Sequence, residues 1–564
     1  MRRIDWLAVT LLLLFAVGLR IIGISHGQLA AAHFPSYAPF GMTHEAMPIQ
    51  PDEFLSVSIP VNMLLRDRLN PGFFNYPSFI INSNYALLRL TGAADGWSLS
   101  QREGYNLRAY ADFSLYVFSR MYSVFGSMIT VACAYAISRI VAGRYAAICA
   151  GLLVTVSYTL VQHAHYIKPA SLATGWMMLA AWACVASLAA RRERKRSRMY
   201  LAAAIFAGLA ATTRYNAAAV AIVVFLTGLV LLYHHPSQRA LRTMVLSWLL
   251  IPLVFVACSP YVLRDFESFW RDFSTIVAQY NVPGQVADYF LVDHWTGFGY
   301  LWLYIGIFSL GAPALIAAVL SLVAAWQARE SRFLARNLAG LLVLLLAPMI
   351  LAYALVVMRT IRPGHTDHML LPILPFIAVL AAVGADWIAR KLPAPTRIAM
   401  PAVALILIIQ PLIMSVQVVE MFSQPDTRQV MLQWIHDHIP RGSSFFLNGS
   451  ANVPLDAQYY PNISQLERYA SDLPSGEDFD YMIYSDALAF DILRTPAIVP
   501  ARVIERQREY LRNLDSMYPR LAEISRPAWT GSDAMMNMAP YWHNPTLILY
   551  CLKPALCESQ TWLR

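Results

Sequence analysis

The stretch MPIQPDEFLSVSIPVNMLLRD, residues 47 to 67, decides how this chain is read. It follows a first apolar segment and is itself too interrupted to cross a bilayer comfortably. It also carries two adjacent carboxylates, Asp52 and Glu53. Acidic side chains beside lipid need a structural or a chemical reason.

Composition supplies the setting. The chain has 564 residues, of which 57% are hydrophobic and 14% charged, with a mean hydropathy of +0.47. Soluble domains carry about a quarter charged residues, so this is a polytopic membrane protein. The first apolar segment, IDWLAVTLLLLFAVGLRIIGI, follows Arg2 and Arg3. Its length exceeds the roughly 7–15 residues of a signal-peptide core, and no small-residue cleavage site follows closely, so it reads as a retained span.

Eleven spans are expected, at about residues 4–24, 113–138, 145–161, 171–190, 199–213, 216–233, 243–259, 299–325, 337–357, 371–389 and 398–417. Short basic loops stay cytoplasmic, and SRIVAGR, RRERKRSR (191–198), HHPSQRALR, ARESRFLAR and ARKLPAPTR all fall on one side. The net charge of +9 is therefore mostly an orientation signal. The run at 191–198 reads as a topogenic loop meeting anionic lipid, with no nucleic-acid partner.

Three stretches then face outward: a first loop over 25–112, a second over 260–298, and everything from 418 onward. In the first loop, FLSVSIPVNMLL and YPSFIINSNYALLRLTG read as interfacial helices anchored by Tyr76, Tyr85 and Arg89. The tail reads as a small extracytoplasmic α/β domain, 418–564, separate from the membrane domain 1–417. TRQVMLQWIHDHIP spaces Val430, Leu432, Trp434, Ile435 and Ile439 on one helix face, SSFFLNG and DYMIYSD read as strands, ERQREYLRNLDSMY as a helix, and TLILYCL as a closing strand. Cys551 and Cys557 are positioned to close a loop near Pro554 in an oxidising compartment. Two buried thiols are the alternative.

On local grounds alone, Asp52 and Glu53 serve equally well as caps of a helix beginning at Phe54. A wider pattern points to chemistry. QPDEF is followed by NPGFFNYPSFIINSNYALLRLTG, then SRMYSVFGSMITVACAYAISR, VQHAHYIKPASLATGWMMLA, GLAATTRYNAAAV, CSPYVLRDFESF and HMLLPILPF. Each is short and membrane-biased, but the ordered set resembles the glycosyltransferase-C superfamily. The branch it resembles holds the protein O-mannosyltransferases (the dolichyl-phosphate-mannose-protein mannosyltransferase-like family) and the lipid A aminoarabinose transferase.

The resemblance implies transfer of a sugar from a polyprenyl-phosphate donor, with inversion, to a lipid, glycan or protein hydroxyl on the outer face of a membrane, here a bacterial inner membrane. A hydroxyl is too weak an acid to attack unaided, and the resemblance makes Asp52 the base, with Glu53 beside it. The departing phosphate needs cations. Candidates are Lys168, Arg214 with Tyr215, Arg359, Arg362, His365 and His368, each of which also suits a residue anchored at lipid headgroups.

Relatives often carry an acidic residue after HYIKP, where this chain has Ala170 and Ser171. That departure directs attention to Glu53, Asp112 and Asp265, or to a mechanism that relies on one carboxylate. Asp265 and His294 lie on the second loop, and Asp265 suits a cap of the helix FESFWRDF as well as a catalytic role. His163 and His165 are accessory candidates, but no three ligands stand at a spacing that fixes a metal, so no cofactor is required by the reading, and a divalent metal is the alternative the resemblance leaves open. A transporter or a non-catalytic scaffold are the alternatives. A transporter calls for charges within spans or repeated halves, and the sequence reading finds neither.

Overall fold

The computed structural model describes residues 3–27, 51–91, 99–100, 108–109, 113–281, 306–327, 338–358, 367–448, 451, 453–455, 459–465, 478–486, 501–525, 545–553 and 556–557. Helix α1 (Arg3–Ile21) is followed by two short helices, α2 (Pro51–Leu65) and α3 (Phe79–Thr91), and by an antiparallel pair, β1 (Leu99–Ser100) and β2 (Arg108–Ala109). Then come α4 (Phe113–Val141), α5 (Arg144–Thr155), α6 (Tyr158–Ala164), α7 (Pro169–Leu188), α8 (Glu193–Thr213), a 3-10 turn at Tyr215–Val220, α9 (Ala221–His234) and α10 (Gln238–Cys258). The helical part continues through α11 (Tyr261–Arg264), α12 (Phe266–Asn281), α13 (Gly306–Leu310), α14 (Ala312–Gln327), α15 (Leu338–Met358), α16 (Asp367–Leu370), α17 (Leu374–Lys391) and α18 (Thr396–Ser423).

Among the described residues, seven helices are long and apolar enough to cross a membrane, or eight if α5 and α6 count as one span. This is a multi-pass integral membrane protein. The expected eleven segments all contain helix, but several depart from a simple span. The segment expected at 145–161 is bent by 54° between α5 and α6. At Gly311, which has φ +87°, the chain breaks again, and α14 keeps only 16 residues, short of the roughly 20 a span needs. Helix α18, expected to end at 417, runs on to Ser423.

The α5–α6 bend has a visible cause. Arg20 is fully buried and donates from Nη1 to the Thr155 carbonyl (3.0 Å) and from Nη2 to the Val154 carbonyl (3.2 Å), while its Nε reaches Ser127 Oγ at 2.6 Å. The last carbonyls of a helix lack intrahelical partners, and a cation there complements the helix dipole. Arg20 thus ends α5 inside an apolar environment where water could not.

Helices α4 and α7 touch backbone to backbone. A Cβ added at Gly126 would meet the Ser171 carbonyl at 2.6 Å, and one at Gly175 would meet the Gly126 carbonyl at 2.7 Å. Small residues permit such close approach between membrane helices. At the far end of α1, buried Asp5 accepts from Arg139 Nε (3.1 Å) and Arg144 Nε (3.3 Å), joining the start of α1 to α4 and α5. That end also carries the 191–198 charge run and is the basic end; α2 and α3 lie at the opposite, loop end.

Both expected short helices of the first loop are present, but α2 begins at Pro51 rather than Phe54, so Asp52 and Glu53 lie within its first turn instead of preceding it. Tyr85, expected as a lipid anchor, is instead buried with Met63 and Ile81.

The remaining residues form α19 (Thr427–His438), β3 (Phe445–Asn448), β4 (Ile463–Gln465), β5 (Tyr481–Ser485), α20 (Ala501–Met517), β6 (Arg520–Ile524) and β7 (Leu547–Cys551). The five strands make one sheet in the order β4-β3-β5-β7-β6; β3 pairs in parallel with β4 and β5, and β7 pairs antiparallel with β5 and β6. Alternation assigns the faces: Phe445, Leu447, Tyr481, Ile483, Leu547 and Leu549 pack with Met431, Leu432 and Ile435 of α19. Phe446, Met482, Tyr484, Ile548 and Tyr550 pack with Leu514 of α20. Val430, expected on the inward face of α19, is 41% exposed, and Met431 takes the buried place.

Cys551 and Cys557 form a disulfide. Lys553, inside its loop, donates to Asp480 Oδ1 at 2.6 Å, and Ser444 donates its N–H and hydroxyl to Asp480 Oδ2. Burial pushes the Asp480 carboxyl up, but Lys553 and Ser444 more than offset this and hold it below the usual carboxylate range.

Two predictions follow from this packing. Gly126→Val should cost about 1–3 kcal/mol by overpacking and lower the melting temperature in detergent, whereas Gly18→Val, where an added Cβ meets nothing within 4 Å, should leave it unchanged. A lowered folded-state pKa stabilises above the unfolded value and is lost as pH falls through the folded one. Lys553→Met should therefore melt below wild type at neutral pH, and the gap should narrow as pH falls below the usual carboxylate range.

Candidate functional site

Glu53 is the best-defined group at the loop end. Its side chain is 0% exposed and that of Arg120, on α4, is 1% exposed. Arg120 donates from Nε to Glu53 Oε1 (2.8 Å) and from Nη2 to Oε2 (3.0 Å), a bidentate pair. Its Nη1 donates to the carbonyls of Ile24 (2.6 Å) and His26 (2.9 Å), and the Ile167 amide donates to Glu53 Oε1 at 3.0 Å. One ion pair thus gathers the chain after α1, the first turn of α2, the start of α4 and the α6–α7 connection. Both oxygens of Glu53 are engaged inside the protein, by Arg120 and the Ile167 amide.

Lys168 follows Ile167 directly. It is buried (4% exposed) and is the residue before α7, with Pro169 at the first helical position. Ser123 Oγ donates to the Tyr166 carbonyl at 2.6 Å, which ties this connection to α4. The first turn of α2 and the connection leading into α7 therefore meet around the Glu53–Arg120 pair. Helix N-termini carry partial positive charge and bind anions. At the place of the missing acid, Ala170 and Ser171 are buried, and the Ser171 hydroxyl donates to the His163 carbonyl at 3.0 Å. The backbone contact at Gly126 leaves this region tightly filled.

The paired histidines are structural in setting. Both ring nitrogens of His165 lie 2.9 Å from backbone carbonyls, of Val161 and Ile22, and the ring stacks on Phe422 at 4.4 Å. His163 packs edge-on against Tyr166. Among the described residues, no three His, Cys, Asp or Glu side chains gather as a metal site.

Arg214 and Tyr215 sit at the break between α8 and the 3-10 turn, as the short connection there leads one to expect. Arg214 Nη2 lies 3.1 Å from Sδ of Met369, in α16. The Tyr215 hydroxyl donates to the Phe74 carbonyl at 3.0 Å, and the Phe74 amide donates to Asp272 Oδ2 at 3.0 Å. Asp265 accepts from Asn70 Nδ2 at 2.6 Å and from the Ser268 amide at 3.4 Å. The hydrogen bonds from Asn70 and Ser268 hold its carboxyl below the usual range. It caps α12 and tethers the first loop.

The Asp52 side chain lies outside the described residues, although its backbone is the second residue of α2. Asp112, His294, Arg359, Arg362 and His365 also lie outside them, as does the side chain of His368, whose backbone is in α16. Sequence reasoning missed Arg120 and Arg20, buried charges within spans whose presence corrects the expectation of none. The signal was available, because an ionisable residue inside an apolar run needs an interior partner.

Comparison with known proteins agrees with the fold. Residues 111–263 match the family model of dolichyl-phosphate-mannose-protein mannosyltransferase. The structure of ArnT from Cupriavidus metallidurans bound to undecaprenyl phosphate is similar over 98% of this chain and 99% of that one, at 13% identity and a TM-score of 0.50. The Archaeoglobus fulgidus oligosaccharyltransferase in complex with Zn and sulfate aligns over 89% of this chain and 71% of that one, at 11% identity and a TM-score of 0.45. No curated protein matches by sequence. The resemblance to the mannosyltransferase-like branch therefore holds over residues 111–263, and the polytopic helical fold is shared.

Removing one partner of a buried ion pair costs about 3–5 kcal/mol, because the other charge is left uncompensated. Glu53→Gln and Arg120→Met should each destabilise by about that amount in detergent melts. The double variant should lose less than the sum of the two, giving a coupling that a double-mutant cycle measures.

Proposed function

We propose that this protein is an inverting glycosyltransferase that moves a sugar from a polyprenyl-phosphate donor to a hydroxyl acceptor, with Asp52 as general base. The observation that carries the reading is the Glu53–Arg120 pair, which fixes the first turn of α2, and with it the backbone of Asp52, beside Lys168 and the N-terminus of α7. This arrangement supports a reading in which a base and an anion-stabilising environment share one end of the membrane bundle. The family-model match over 111–263 supports the reaction class. The undecaprenyl phosphate bound by the structurally similar ArnT supports the donor class.

In the proposed step, Asp52 takes the acceptor hydroxyl proton as that oxygen attacks C1 of the sugar. The bond from C1 to the phosphate oxygen breaks, and polyprenyl phosphate departs with the bonding electrons. Attack opposite the leaving group inverts C1. Lys168, Arg214 and the first turn of α7 offset the charge gathering on the phosphate. Arg359, Arg362, His365 and His368 complete the set of proposed phosphate ligands, and the reaction as proposed requires no cofactor.

The proposed setting is a bacterial inner membrane with the loop end and residues 418–564, as a separate domain, outside. The Cys551–Cys557 disulfide supports that orientation, since disulfides persist in oxidising compartments. The acceptor is a lipid, glycan or protein hydroxyl.

The test is transfer from labelled polyprenyl-phosphate sugar in membranes. General-base catalysis contributes about 10²–10⁴-fold, so Asp52→Asn should reduce transfer by at least about 100-fold while inserting and melting like wild type. Undiminished transfer by the folded variant removes Asp52 as base. Absence of transfer by the wild type from every such donor removes the reaction class.

A further inference from the structure

At the basic end of the bundle, far from the Glu53–Arg120 pair, a cavity of about 440 Å³ opens between the start of α8, the end of α9 and the start of α10. Its walls carry Arg196 and Ser197, His234 and His235, Ser237, and one acid, Glu193. The proposed transfer uses none of these residues. The volume is that of a small-ligand site, and the polar groups come from three separate helices.

Charge in this cavity is unbalanced. Glu193 lies 3.8 Å from Arg239, outside the cavity wall, so its carboxylate already faces a cation. Arg196 donates from Nη2 to the Ala190 carbonyl at 3.2 Å, but its Nε is buried without a hydrogen-bond partner. Burial first, then Arg196 and His234, push the His235 imidazole below its ordinary pKa, with Glu193 opposing. Ser237 caps α10 by accepting from the Ala240 amide at 3.0 Å, which places the positive end of a 21-residue helix at the same opening. A guanidinium, two imidazoles, two hydroxyls and a helix N-terminus thus line one space, a set of donors suited to a compact oxyanion.

We propose that this cavity is a binding site for a phosphate ester, distinct from the loop-end site. Phosphate suits it better than a carboxylate because its tetrahedral oxygens can accept from Arg196, the histidines and the helix N-terminus at once. A lipid headgroup and a soluble phosphate offer the same chemistry. Leu241, Val245, Leu249 and Leu253, exposed along one side of α10 at four-residue spacing, begin beside the cavity and offer an apolar track that a lipid would use.

The test uses the full chain in phosphatidylcholine nanodiscs. One arm adds phosphatidylglycerol and counts retained lipid by native mass spectrometry; the other titrates inorganic phosphate, followed by phosphorus NMR line broadening. Arg196→Gln and Ala240→Trp, which removes space rather than charge, should each weaken binding about tenfold. Arg198→Gln, an equal charge loss at an exposed site outside the cavity, should change it less than twofold. Arg196-dependent preference for phosphatidylglycerol identifies a lipid headgroup, and Arg196-dependent phosphate binding without lipid preference identifies a soluble ligand. Equal losses for Arg196→Gln and Arg198→Gln, or no Arg196-dependent binding in either arm, overturn the proposal. Should Arg196→Gln fail to fold, His235→Gln and Ala240→Trp carry the same comparison.

Discussion

The buried pair between Glu53 and Arg120 is the constraint on which the loop end depends. A guanidinium and a carboxylate removed from water cost several kcal/mol each to desolvate, and their attraction repays this only with good geometry and further hydrogen bonds. Those bonds are present: Arg120 reaches two carbonyls beyond α1, and Glu53 accepts the Ile167 amide. The pair is better understood as a source of uniqueness than of net stability. This arrangement of α2 against α4 satisfies all five groups at once, which ties the short helix carrying Asp52 to α4.

Backbone groups explain the irregular spans in the same terms. A helix that ends inside lipid must find partners for its last carbonyls. The α5–α6 bend is tolerated because Arg20 supplies them from α1 and Ser415 donates its hydroxyl to the Val156 carbonyl at 2.8 Å. Similarly, the first loop is joined to the membrane helices by side chains binding backbone, as in Tyr215 to Phe74 and Asn82 Nδ2 to the Cys258 carbonyl at 3.1 Å.

Much of this was legible in the sequence, for physical reasons that also mark the limit. Apolar runs and basic loops report where lipid is, so helices were foreseen at every proposed span. Hydropathy averages over a window, however, and so conceals both the bend after Thr155 and the single Arg120 in an otherwise apolar run. Strands β3, β5 and β7 were recognisable because both faces of the sheet are covered, whereas β4 is only three residues long and β6 is largely solvent-facing, leaving little pattern to read. In the site, the positions of Lys168 and Arg214 near helix ends could be inferred, since spans fix where ends fall. The partner of Glu53 could not, because a pairing across 67 residues leaves no local periodicity.

Helix α4 shows how the two ends of the bundle are related. Arg120 and Arg139 lie 19 positions apart on one helix, which at 1.5 Å per residue is roughly 28 Å, close to the thickness of a bilayer's hydrocarbon core. Arg139 is bound to Asp5 at the start of α1, and Arg120 to carbonyls just beyond the end of α1. The antiparallel pair is therefore clamped at both ends, and a slip of one helical turn, about 5.4 Å, would break both clamps at once. Because Arg120 also holds Glu53, any vertical displacement of α4 would move the first turn of α2 with it. The depth of that turn relative to the membrane is thus set by charges at both ends of α4, with the backbone contact at Gly126 locking the helix to α7 between them.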